Sequence, residues 1–149
     1  YEPVNGIYEN PRAYFAEGTV PDLQLVLDVA IDGRVYFLMG DGTIQTFFAG
    51  SYDHSFEMSG LPDANFEPRV MAIEPDPEDG LVYLAETQEE RIIVLDKRGE
   101  FVRQYKLPKG ELKRIEALTI DHEVGALYIV AENRLFAALL PNFETGSEP

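Results

Sequence analysis

Cysteine and tryptophan are absent from the 149 residues, histidine occurs twice, and 12 basic residues face 27 acidic ones. Without cysteine there are no disulfide staples and no thiolate metal ligands; the compartment stays open, because disulfide-free proteins occur on both sides of the membrane. His54 and His122 are too few for a multi-histidine metal centre, and each follows an aspartate in a polar stretch that reads as a solvated turn. No apolar run approaches 18 residues, and the apolar stretches, Val35 to Met39 among them, have the length of a strand, so no membrane insertion is expected. A formal charge of −15 opposes binding to phosphate backbones and anionic lipid, so no nucleic acid is expected either. Ser51, Ser55, Ser59 and Ser147 lack a nucleophile-elbow frame, and no glycine-rich phosphate loop occurs. No catalytic residue and no metal ligand is therefore assigned. The start, Tyr1-Glu2-Pro3, has neither an initiator methionine nor a basic stretch before an apolar one, which suggests a chain excised from something longer.

What the chain does have is a repeat. Asp28-Val29-Ala30-Ile31-Asp32-Gly33-Arg34-Val35-Tyr36-Phe37 aligns with Val70-Met71-Ala72-Ile73-Glu74, then Gly80-Leu81-Val82-Tyr83-Leu84. It aligns again with Ala117-Leu118-Thr119-Ile120-Asp121, then Gly125-Ala126-Leu127-Tyr128-Ile129. The tyrosines 36, 83 and 128 mark a period of about 45 residues, each period holding several short strands, which is the pattern of β-propeller blades. An all-β chain of three four-stranded blades is expected, at about 23–62, 66–108 and 112–140, between an N-terminal segment 1–22 and a polar tail 141–149. An apolar content of 45% suffices for a core at this length.

Within each unit an innermost strand ends in an acid, a glycine turn follows, and the second strand (Val35 to Leu38, Val82 to Ala85, Leu127 to Ala131) is continuously apolar, as a strand buried on both faces should be. Third strands are read at Thr43 to Phe48, Arg91 to Leu95 and Arg134 to Leu139. Fourth strands are read at Ser55 to Met58, after the loop Gly50 to His54, and at Glu100 to Tyr105. The third unit has no fourth strand of its own. The N-terminal segment around Ile7 to Phe15 is a possible donor, and Val20 to Leu25 a second.

The middle unit, Pro68 to Glu74, Gly80 to Glu86 and Arg91 to Tyr105, is similar to an NHL-type repeat. The resemblance implies a four-stranded blade in a closed ring, commonly of six blades, used for protein, peptide or RNA binding and in some relatives for lyase or hydrolase chemistry. It covers about 110 residues. Glu86 stands where that family often has aspartate, Glu89-Glu90 replaces its asparagine-histidine pair, and Arg91 and Arg134 keep its arginine, which the first unit replaces with Thr43. Arg91 and Arg134 are read as structural, pairing with carboxylates of nearby loops.

Three blades do not close a ring, so a homodimer or the other half of the same parent chain is expected to complete it. Residues 91–114 hold eight basic and three acidic side chains, net +5 in a chain of −15; this is read as a solvated strand-and-turn face, the alternative being an edge matched to an acidic edge of such a neighbour. Candidate ligand or partner residues are the loop aromatics Tyr52, Phe56 and Phe66 and the strand-end acids Asp32, Glu74 and Asp121, the last three favouring turn capping over chemistry. Tyr36, Tyr83 and Tyr128 are read as filler between blades. The acidic loop Pro75-Asp76-Pro77-Glu78-Asp79 could attract calcium but lacks ordered ligand spacing, so no cofactor is expected. The function expected is a non-catalytic protein-interaction or assembly module, able to take a protein or peptide ligand. The alternative is a hydrolase or lyase-like propeller with carboxylates or calcium at its channel mouth.

Overall fold

The computed structural model describes residues 13–110, 112–121 and 123–140. Three antiparallel meanders account for most of them. The first runs β1 (Val26–Ile31), β2 (Val35–Met39), β3 (Ile44–Phe48) and β4 (Ser51–Phe56). The second runs β5 (Val70–Ile73), β6 (Leu81–Glu86), β7 (Arg91–Asp96) and β8 (Phe101–Lys106). The third has three strands, β9 (Ile115–Asp121), β10 (Ala126–Ala131) and β11 (Arg134–Leu139). Strands neighbouring in sequence neighbour in the sheet, and β5 packs against both β1 and β9, so the innermost strands lie side by side.

Register explains the face each side chain takes. On β2, Tyr36 and Leu38 point toward the second sheet, where they meet Met71, Val82, Leu84, Ile93 and Leu95. On β6, Tyr83 and Ala85 point the other way, into a cluster with Leu118, Leu127, Ile129 and Ala131 of the third sheet. The middle sheet thus has both faces covered, and β6 and β7 are buried over almost their whole length. The open face of the first sheet carries a smaller cluster, Phe37, Met39 and Phe47, on which Phe15 packs.

Several expectations shift in detail. The first outer strand begins at Ser51, not Ser55, because Ala49 and Gly50 both take positive φ and close a two-residue hairpin in place of the expected loop. Val20 to Leu25 contains the 3-10 turn Leu23–Leu25, capped by Asp22, whose carboxylate accepts the Gln24 N–H. That local hydrogen bond competes with a strand, so this segment is no strand donor. Of the other expected donor, residues 7–12 lie outside the described residues, as does the tail from 141. Gly33 and Gly125 take positive φ in their turns, but Gly80 does not. Gly80 is required for space: a Cβ there would stand against the Asp76 carbonyl and the Lys97 side chain.

Candidate interaction surface and the inter-sheet clasp

The strand-end acids lie at the turns from each first strand to each second strand. Asp32 Oδ1 accepts the Arg34 N–H at 3.1 Å, and Oδ2 accepts the Tyr36 hydroxyl at 3.1 Å. The same Oδ2 takes Lys97 Nζ at 2.6 Å, from the β7–β8 turn of the second sheet, and that ammonium also donates to the Glu74 carbonyl at 2.7 Å. The Asp32 carboxylate is wholly buried and Lys97 nearly so. One lysine therefore clasps the first sheet to the second, with its charge matched and its hydrogen bonds filled, as a buried ion requires. Glu74 accepts the Tyr83 hydroxyl at 2.9 Å and the Leu81 N–H at 3.0 Å. Burial, followed by the adjacent carboxylates, pushes the phenols of Tyr36 and Tyr83 well above their ordinary 10.0. Both rings are buried between sheets.

Asp121 repeats the motif without the lysine. Its Oδ1 accepts the Glu123 and Val124 N–H groups, and among the described residues no side chain reaches Oδ2 or the Tyr128 hydroxyl. Both residues lie on the face of the third sheet turned away from the middle sheet, together with Ala117, Val130, Leu135, Ala137 and Leu139. Leu135 and Leu139 are 68% and 79% exposed. At the opposite end, the first sheet exposes Leu27, Val29 and Ile31 of β1. His122 lies outside the described residues.

Arg91 joins the middle sheet to the linker before it. Its guanidinium donates to Glu86 at 2.6 Å, pairs with Asp63 at 2.8 Å and stacks over the Phe66 ring. Burial works against the charge, but the hydrogen bonds to Asp63 and Glu86 outweigh it and raise the guanidinium's pKa. The Arg91 hydrogen bond, then the Asn65 N–H, holds the Asp63 carboxyl below its ordinary range. Arg134 has no such pair among the described residues: it is exposed and lies over Phe136.

The loop aromatics separate. Tyr52 is on β4, half exposed, with its hydroxyl on Ser55. Phe56, read from sequence as an exposed aromatic, ends β4 and is buried beside Tyr36, because its pairing with Ile44 turns its ring to the face covered by the second sheet. Phe66 is half-buried under Arg91. Half of the basic stretch maps to the middle sheet: Arg91 and Lys97 are consumed in internal pairs and Arg103 and Lys106 lie on β8, so these four face neither open end. The Asp76 carboxyl caps its own turn, and the Asp79 and Glu78 N–H groups lower its pKa. Among the described residues, no three His, Asp or Glu side chains converge as a metal site would require. The clasp itself was legible only in part: the acids and tyrosines repeat, but Lys97 occurs in one turn alone and left no periodic signal.

No family model and no curated protein matches the chain. Solved structures do. The WD40 repeats of RRP9 superpose with a TM-score of 0.58 at 11% identity, over 85% of this chain and 37% of that one. A chain of the nidogen/laminin complex gives 0.56 at 16%, over 76% and 44%. The gluconolactonase XC5397 from Xanthomonas campestris gives 0.52 at 17%, over 73% and 34%. This chain spans about two fifths of the length of such structures. The likeness extends across propellers of different kinds, and what it establishes is the fold they share: stacked antiparallel sheets of the β-propeller type.

Proposed function

We propose that the chain is a non-catalytic interaction or assembly module whose working surfaces are the two end faces of the stack, and that a second copy covers them to make six sheets. The observation that carries this reading is the apolar exposure at both ends, Leu27, Val29 and Ile31 on one and Leu135 and Leu139 on the other, beside central strands β6 and β7 that expose almost nothing. Fully burying a side chain of this kind is worth roughly 1.5–3 kcal/mol, and association costs on the order of 4–15 kcal/mol. The five together can therefore drive association only if the faces meet over most of their extent.

Light scattering on a sizing column tests the reading. The expected mass is twice the 16.8 kDa of one chain, independent of concentration, and Val130→Asp on the open face should return it to one chain. A single-chain mass for the unaltered protein at every concentration overturns it.

A further inference from the structure

The stretch before the first sheet repeats the stretch before the second. The Ala16 N–H donates to the Gly50 carbonyl at 2.8 Å, and the Ser59 N–H donates to the Gly99 carbonyl at 2.9 Å. Gly50 and Gly99 occupy the same hairpin position between third and fourth strands, both at positive φ. A Cβ on Gly50 would collide with the Tyr14 carbonyl, and one on Gly99 with the Glu57 carbonyl. Phe15 packs on Phe37 and Phe47 of the first sheet, and Met58 packs on the cluster holding their counterparts Leu84 and Leu95. Three independent contacts thus match Tyr14, Phe15 and Ala16 with Glu57, Met58 and Ser59, and so match Ala13 with Phe56, the last residue of β4.

The chain reaches Glu57 directly from the outer strand of the sheet stacked on the second. By the same geometry, Ala13 takes the place of the last residue of an outer strand in a sheet stacked on the open face of the first. The three-stranded sheet is the third, whose β11 edge has no further strand among the described residues. Within one chain the middle sheet stands between the first sheet and the third, so a third sheet stacked at Tyr14 would have to come from another molecule.

Resting on the two-copy reading above, we infer that each copy completes the third sheet of the other, with Ala13 entering along the β11 edge of the partner. The register follows from the first sheet. Phe56 pairs with Ile44, which pairs with Leu38. In the third sheet Val130 holds the place of Leu38 and pairs with Leu135. Ala13 therefore stands opposite Leu135 of the partner subunit, and the two open apolar faces close on each other.

The chain has no cysteine, so two engineered thiols report without background. Ala13 and Leu135 are both exposed, and their replacement should leave the fold intact. Under mild oxidation the Ala13→Cys/Leu135→Cys variant should convert almost wholly to a disulfide-linked dimer of twice 16.8 kDa. The Ala13→Cys/Val102→Cys control, with its second thiol on the exposed side of β8, should remain unlinked. A dimer by light scattering that fails to cross-link through Ala13→Cys/Leu135→Cys overturns this inference and leaves the assembly reading standing. A single-chain mass without cross-link overturns both. A disulfide within one chain, or a ladder of oligomers beyond the dimer, overturns the reciprocal exchange.

Discussion

The middle and third sheets are built from one repeat, yet they differ in what covers them. In β7, five of six residues are buried; in β11, the counterpart strand, one of six is even half-buried. Their sequences, Arg-Ile-Ile-Val-Leu-Asp and Arg-Leu-Phe-Ala-Ala-Leu, are comparably apolar. A strand with that composition is written for cover on both faces. The difference is one of cover: β11 has the apolar sequence of a covered strand without cover from the described residues, which is what the proposed second copy would supply.

The clasp offers the sharpest way to break the comparison. Lys97→Met strands the Asp32 carboxylate in the first interface with the Tyr36 hydroxyl and one backbone N–H. Removing one partner of a buried pair should cost about 3–5 kcal/mol in urea-induced unfolding. Adding Asp32→Asn to Lys97→Met removes the buried charge, leaves the amide oxygen to accept the Arg34 N–H of the turn and the amide NH2 to donate to the Tyr36 hydroxyl, and should recover most of the loss. The matching change at the open end, Asp121→Asn, removes no buried ion pair and should cost about 1 kcal/mol or less.

Truncation in the two third strands comes next in size. Ile93→Ala opens a cavity in a fully buried strand and should cost about 2–5 kcal/mol in urea unfolding. Leu135→Ala alters a 68% exposed residue and should change the stability of one isolated chain by no more than about 0.5 kcal/mol. If Leu135 faces a second copy, the same substitution should instead raise the dissociation constant of the dimer. Equal effects of the two truncations on one-chain stability would show that β11 is already covered from within.

Period, strand type and the repeat of acid, glycine and tyrosine were legible in the sequence, because each rests on local requirements that every blade shares. What was not legible rests on contacts made once. The Ala49-Gly50 hairpin escaped notice because alanine is a poor signal for positive φ. Phe56 is buried, against the surface reading, because the face it takes is set by its pairing with Ile44, a register that one strand read alone does not reveal. The basic stretch suggested an edge, but charge counted along a sequence does not tell which lysine folds inward, and Lys97 does. The candidate surface was foreseen only as a shortage of blades; which residues line it came from the register of β10 and β11.

The tyrosines give the smallest and most selective test. Tyr36 and Tyr83 each donate to a strand-end acid inside an interface, and their folded phenols are held above 10.0 by burial and by Asp32 or Glu74. Above pH 10 the unfolded chain therefore releases phenolic protons that the folded chain retains. The unfolded state then binds fewer protons than the native one, so the stabilisation present below pH 10 is lost progressively as the pH rises toward the folded values. Tyr36→Phe should cost about 1 kcal/mol at neutral pH, the worth of one hydrogen bond, and should flatten the alkaline loss measured by urea unfolding from pH 9 to about 11. Tyr83→Phe should flatten it likewise, at the second interface. If neither substitution changes the alkaline slope, the two phenols are not the groups that tie these interfaces to pH, and the hydrogen bonds to Asp32 and Glu74 contribute packing geometry alone.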